Sequence, residues 1–96
     1  MPERITRQLL AVLAALLAEP AREWYGLELM ERTGLTSGTL YPILRRLEGD
    51  GWLTPRGRAP SDRGGPARRL FVLTGDGERA ARDLVATRLA SQPGRR

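Results

Sequence analysis

The sequence predicts a mainly α domain with one small β-hairpin, an α+β class in the order α-α-α-β-β-α, and three observations carry that prediction. Leu40, Ile43, Leu44 and Leu47 recur at helical spacing and are closed off by Gly49 and Gly51, which marks a short helix with one apolar face. Directly before it, residues 27–33 form a second short helical stretch ended by Gly34, so two helices are joined by a tight turn. Directly after it, two runs of strand-forming residues at 52–56 and 69–74 flank a stretch rich in Gly, Pro, Ser and Asp, the pattern of a hairpin with a long tip. The chain of 96 residues is enough for one domain, assigned to 1–90, with a basic tail at 91–96.

Residues 4–18 are expected to form the first helix, with Ile5, Leu9, Val12, Leu13, Leu16 and Leu17 as apolar positions. Every residue from Leu9 to Ala18 is apolar. That run is about half of what a bilayer core requires, and the start Met-Pro-Glu-Arg lacks the flanks of a signal peptide, so no membrane segment is expected. A helix apolar nearly all round is either covered on one side by its own core and on the other by a second subunit, or buried within one chain. The dimer reading assigns Ile5, Leu9 and Leu13 to the interface.

Residues 19–24 are expected to connect the helices, because Pro20 disfavours the helical region for Glu19. Trp24 beside a helix start is better explained as a core anchor than as a stacking surface for a ligand. In the third helix Thr36 is the expected N-cap, with Pro42 near the first turn. Opposite its apolar face lie Gly38, Pro42, Arg45 and Gly49, flanked by Thr39, Tyr41 and Arg46. A solvated helix would show acid–base pairs there. Small residues, hydroxyls and two guanidinium groups instead allow close approach and donate to phosphates or base edges.

Beyond Gly51 the hairpin carries arginines at 56, 58, 63, 68 and 69, opposed within that span only by Asp62. Such a loop suits a minor groove or a phosphate backbone, or is a solvated loop. The last helix opens at Thr74 as N-cap, with Gly77 where a capping box would place Glu or Gln. Its stripe of Ala80, Ala81, Leu84, Val85 and Leu89 packs on the first helix or on its copy in a second subunit, where Leu84 and Val85 are the expected contacts.

A helix-turn-helix followed at once by a basic hairpin is the order of a winged helix-turn-helix, and the conjunction points to double-stranded DNA. All 16 basic residues are arginine, against 11 acidic ones, for a formal net charge of +5; this favours a polyanionic partner, and the all-arginine set suggests a GC-rich bacterial genome. No Cys and no His are present, which excludes disulfides, thiolate and imidazole chemistry and most zinc sites. Without a phosphate-cradling glycine motif or a nucleophile beside a base, an enzyme is not expected, nor a metal or other cofactor.

The chain resembles the PadR family of winged-helix transcriptional regulators over roughly residues 5–85. Gly26, Glu28 and Leu29 match the family's Gly-Tyr-Glu-Leu, with Leu27 in place of tyrosine. Gly38-Thr-Leu-Tyr-Pro42, Leu44, Arg46-Leu-Glu48 and Gly51 match the recognition-helix signature, the most specific part. Gly65-Pro66, Arg68-Arg69, Leu73-Thr74 and Gly77 match the wing and the last-helix start, with Leu70-Phe71 where two tyrosines are common. The resemblance implies a cytoplasmic, nucleoid-associated homodimer, usually a repressor, that binds an inverted-repeat operator and often releases it on sensing a small molecule. Some members bind aromatic compounds in a pore at the dimer interface.

Recognition-helix contacts are assigned to Ser37, Thr39, Tyr41, Pro42, Arg45 and Arg46, with Arg45 as base reader and Arg46 at a phosphate or a local carboxylate. Wing contacts to the DNA backbone are assigned to Arg56, Arg58, Arg63 and Arg68. The competing account is a winged-helix protein–protein adaptor without specific DNA binding.

Overall fold

The computed structural model of the chain describes residues 5–59 and 68–90. Helix α1 spans Arg7–Ala18, strand β1 Trp24–Tyr25, α2 Gly26–Thr33, α3 Ser37–Gly49, β2 Leu53–Ala59, β3 Arg68–Leu73 and α4 Gly75–Ala90. The expected order of four helices and a hairpin is present, with one strand added. Trp24 pairs with Phe71 and Tyr25 with Leu70, so β1 extends the hairpin to a three-stranded antiparallel sheet ordered β1-β3-β2. A two-residue strand has no periodicity to betray it. It forms because Trp24, 1% exposed, buries its indole in the core and brings its backbone alongside β3.

α1 begins at Arg7 and not at residue 4: Thr6 is extended, and its Oγ1 accepts a hydrogen bond from the Leu9 amide at 3.0 Å. Leu9, Val12, Leu13 and Leu16 are completely buried against Leu29 of α2, Leu40, Leu44 and Leu47 of α3, and Leu53 and Phe71 of the sheet. This corrects the expectation that Leu9 and Leu13 belong to a dimer interface. Both lie on the face that the chain's own core covers, and neither has surface left to offer a second copy.

The α1–α2 corner is closed by charge. Arg22 pairs with Glu19 at 2.9 Å and with Glu28 at 3.1 Å, Arg32 reaches Glu19 at 3.4 Å, and the Arg22 guanidinium lies 3.9 Å from the Trp24 ring centroid. The hydrogen bond from Arg22 holds the Glu19 carboxyl below its ordinary range. Glu28 also accepts from the Tyr25 amide at 2.8 Å, which fixes the start of α2, and Gly34 closes that helix in the left-handed conformation.

α3 starts as expected after Thr36, whose carbonyl accepts from Thr39 and Leu40. The Thr36 hydroxyl does not cap the helix and pairs instead with the Thr39 hydroxyl at 3.4 Å. Pro42 lies inside the helix, beyond the first turn where the sequence placed it. Its missing N–H leaves the Gly38 carbonyl without a helical donor, which is tolerable because Gly38 is exposed to water.

Pro55 sits in β2, which is an edge strand, where a missing donor costs no ladder bond. The register shifts between Pro55 and Arg58 around Gly57, whose φ is 82°, so the hairpin is bulged there. The hairpin base is locked to α4 by one hydroxyl. Thr74 Oγ1 donates to the Gly51 carbonyl at 2.8 Å and accepts from the Gly77 amide at 2.8 Å. A Cβ on Gly77 would stand 2.2 Å from the Trp52 carbonyl oxygen, which explains glycine where a capping box would have put a carboxylate. α4 packs on α1, with Ala81 buried, Leu84 and Val85 half-buried and Leu89 57% exposed. No helix among the described residues is long and apolar enough to cross a membrane.

Two glycine-to-alanine changes should therefore move stability in opposite directions. Gly77→Ala forces backbone apart and is expected to cost about 1–3 kcal/mol. Gly38→Ala, with open space around its Cβ position, should stabilise α3 by about 0.5–1 kcal/mol. Urea denaturation at one fixed protein concentration reads both.

Candidate nucleic-acid interface

The apolar face of α3 is spent in the core: Leu40, Leu44 and Leu47 are essentially inaccessible. What remains outside is Ser37, Gly38, Thr39, Tyr41, Pro42, Arg45 and Gly49, all exposed. The structure therefore gathers five of the expected recognition residues, Ser37, Thr39, Tyr41, Pro42 and Arg45, on the outward side of one helix. Arg46 is half-buried and set apart from them. Because the Thr36 hydroxyl leaves the first turn uncapped, the α3 N-terminus keeps backbone N–H groups beside the exposed Ser37 hydroxyl, an arrangement suited to phosphate oxygens.

Arg45 makes neither a hydrogen bond nor an ion pair among the described residues. Its neighbours differ. Glu48, one turn on, is bound to Arg69 of β3 at 3.1 Å, and Arg69 also lies 5.2 Å from the Phe71 centroid. This pair ties the recognition helix to the hairpin. Arg56 is exposed on β2 and pairs with Glu23 at 3.3 Å; two exposed partners of this kind are worth about 0–1 kcal/mol and separate readily. Arg58 and Arg68 occupy the outer part of the ladder, where Arg58 pairs with Arg69 and Ala59 with Arg68. Arg63 lies outside the described residues.

Tyr41 has a second role that its exposure does not suggest. A Cβ on Gly26 would lie 2.1 Å from the Tyr41 hydroxyl oxygen, so the phenol rests on the start of α2 and fills the space that a side chain at 26 would take. Ser37, Tyr41, Arg45 and Glu48 follow one another along one flank of α3. With Gly26, Leu27 and Met30 of α2 and Tyr25, Arg69 and Phe71 of the sheet, they enclose a hollow of ≈ 500 Å³. Sequence reasoning missed Leu27, Glu48 and Arg69 as members of this site, although the 37-41-45-48 spacing was there to be read. Of the expected dimer contacts, Ile5, Leu84 and Val85 are half-buried, and Ile5 and Leu84 border a shallower depression with Trp52, Ala80, Asp83 and Thr87. No cluster of three or more His, Cys, Asp or Glu that could hold a metal occurs among the described residues.

Comparison with known proteins matches residues 12–83 to the family described as "Transcriptional regulator PadR-like family". The chain is similar to a PadR-like transcription factor from Bacteroides fragilis, with 30% identity over 85% of this chain and 80% of that one and a TM-score of 0.69. It is also similar to the PcaV transcriptional regulator of Streptomyces coelicolor, solved with its natural ligand, with 36% identity over 92% of this chain and 57% of that one and a TM-score of 0.69. BpsR of Bordetella bronchiseptica, whose DNA binding is regulated by 6-hydroxynicotinic acid, shares the fold at 21% identity over 93% of this chain and 56% of that one, with a TM-score of 0.64. The chain thus spans little more than half the length of PcaV and of BpsR. Among curated proteins none matches significantly.

The Tyr41–Gly26 contact predicts coupling between the two helices of the turn. Gly26→Ala should push the phenol off α2 and destabilise the protein, whereas a Tyr41→Ala background removes the three atoms nearest to that Cβ. A double-mutant cycle in urea is expected to return a coupling of about 0.5–3 kcal/mol; additivity would show that the contact carries no strain.

Proposed function

Because the chain belongs to the PadR-like family of transcriptional regulators, we propose that it is a sequence-specific DNA-binding repressor that holds an inverted-repeat operator as a homodimer and is released by a small molecule. The observation that carries this reading is the outward side of α3, where Arg45, without a hydrogen bond or ion pair among the described residues, stands among exposed hydroxyl and small residues. Unlike Arg69, which Glu48 holds, Arg45 can engage a phosphate or a base without first giving up a carboxylate of the described residues.

In the proposed complex two α3 helices related by a twofold axis enter successive major grooves about 34 Å apart. Arg45 engages guanine O6 and N7 together, Ser37 and Thr39 donate to phosphates or base edges, and Pro42 allows close approach. Arg46 serves a phosphate or a local carboxylate. Arg56, Arg58, Arg63 and Arg68 supply attraction to the backbone from the hairpin. Ile5, Leu84, Val85 and the exposed Leu89 form the subunit contact, without Leu9 and Leu13. The setting is the bacterial cytoplasm beside the nucleoid. That the similar regulator PcaV was solved with its natural ligand supports a small-molecule effector, which we take to be a small aromatic compound.

Fluorescence anisotropy with the duplex upstream of the protein's own gene, against a scrambled duplex at about 150 mM salt, tests this reading. Two chains per operator and a preference of about a thousandfold are expected, with a log–log salt slope of about −5 to −7. Arg45→Ala should weaken specific binding by about 1–3 kcal/mol more than nonspecific binding. Equal losses on the two duplexes would remove Arg45 as base reader, and equal weak binding of both by the unmodified protein would count against this operator.

A further inference from the structure

Arg45 and Arg69 both border the hollow between α2, α3 and the sheet, and they are held differently. Arg45 of α3 makes no hydrogen bond or ion pair among the described residues. Arg69 of β3 donates from Nη2 to the Glu48 carboxylate at 3.1 Å and lies 5.2 Å from the Phe71 ring centroid. Ser37 and Tyr41 line the same hollow, so Arg69 stands on the side of the molecule that the DNA reading turns toward the duplex. Its side chain is 46% exposed. Access alone would let that guanidinium serve a phosphate; its carboxylate partner holds it back.

Glu48 differs from the other acidic partner of the hairpin. In the Arg56–Glu23 pair both side chains are well exposed, and water takes over when they part. The Glu48 side chain is 19% exposed. Withdrawing Arg69 would leave a carboxylate with less water to receive it, and so costs more than parting Arg56 from Glu23. Glu48 lies three residues beyond Arg45, about one turn on along the same flank of α3. The backbone register also sets Arg69 opposite Arg58, with Arg68 next to it in β3. Like charges at directly opposed positions destabilise a strand pair, and the Glu48 carboxylate offsets one of them.

We propose that Glu48 is a specificity-determining residue: by holding Arg69 it withholds one guanidinium from the DNA backbone and so limits attraction that is blind to sequence, a role that rests on the DNA-binding function proposed above. A phosphate contact carries no sequence information of its own. On an operator, Arg45 on its base fixes α3 in the groove and with it the place of every other group. On other duplexes the basic surface settles wherever arginines meet phosphates. A freed Arg69 therefore gains more on the wrong sequences than on the right one. The carboxylate acts by keeping the wrong complexes weak.

The test titrates the full chain, by anisotropy, on the duplex upstream of its own gene and on a scrambled duplex across about 50–200 mM salt, where the log–log slope counts the phosphates engaged. Glu48→Gln keeps the side chain's shape and removes its charge. It should tighten binding to the scrambled duplex, steepen that slope by about one per chain, and shrink the preference for the operator. Two comparisons separate release of Arg69 from a plain gain in net charge. Glu78→Gln makes the same charge change on α4, where Glu78 pairs with Arg82, and should leave the slope where it was. Glu48→Gln combined with Arg69→Gln restores the original net charge and should return slope and preference to those of the unmodified chain; this double variant decides the matter alone should Glu48→Gln lose its unfolding transition. An unchanged slope for Glu48→Gln, an equal steepening by Glu78→Gln, or a double variant shallower than the unmodified chain overturns the withholding of Arg69. Equal tightening on both duplexes overturns its role in specificity. A chain without operator preference whose slope still steepens with Glu48→Gln and not with Glu78→Gln would count against the operator reading while establishing that Glu48 restrains Arg69.

Discussion

The burial of Leu40, Leu44 and Leu47 is the constraint on which the rest of the molecule depends. Their side chains are essentially absent from the surface, and truncating any one of them would cost about 2–5 kcal/mol, a large part of the roughly 5–15 kcal/mol that holds a domain of this size together. With that face committed to the core, α3 has no rotational freedom left. Its outward residues point where they do because the leucines cannot turn. α1 supplies the floor through Leu9, Val12, Leu13 and Leu16, so the helix most apolar in sequence is the one that positions the helix carrying the polar chemistry.

The hairpin is aimed by backbone more than by charge. Trp52 donates its amide to the Leu47 carbonyl at 2.9 Å and accepts from the Thr74 amide at 2.9 Å, so one residue joins the end of α3, the foot of β2 and the start of α4. The Thr74 hydroxyl and the bare Gly77 complete that crossing. The exposed pairs Arg56–Glu23 and Arg69–Glu48 are worth little by comparison. They bias the hairpin toward α3 and the β1 loop, and they can be exchanged for phosphates without unfolding anything.

Much of this was legible in the sequence, because periodicity reports which face is buried. Leu40, Leu44 and Leu47 recur at helical spacing, Gly34 and Gly51 punctuate, and Trp24 anchors as a bulky residue at a helix mouth should. Where no period exists, no face can be read. The unbroken apolar run in α1 hid the fact that Leu9 and Leu13 turn inward, and β1 was too short to show alternation. The hollow beside α3 needs more than the 37-41-45-48 flank that helical spacing shows: it also depends on Glu48 meeting Arg69 and Tyr41 meeting Gly26, contacts between residues distant in the chain.

The distribution of charge carries the argument from fold to function one step further. Acids and arginines are paired at the α1–α2 corner, between hairpin and helix, and along α4, where Arg79 meets Asp76 and Arg82 meets Glu78 at 2.7 Å. A paired arginine must give up its carboxylate before it serves a phosphate or a base, and that loss offsets the gain. Arg7 and Arg45 are not among these pairs, and neither makes a hydrogen bond or an ion pair among the described residues. Arg7 opens α1, away from the α2–α3 turn, whereas Arg45 stands at the centre of the exposed side of α3. Positive charge thus reaches that side without a carboxylate partner among the described residues, and a phosphodiester that takes Arg45 has none of these to displace.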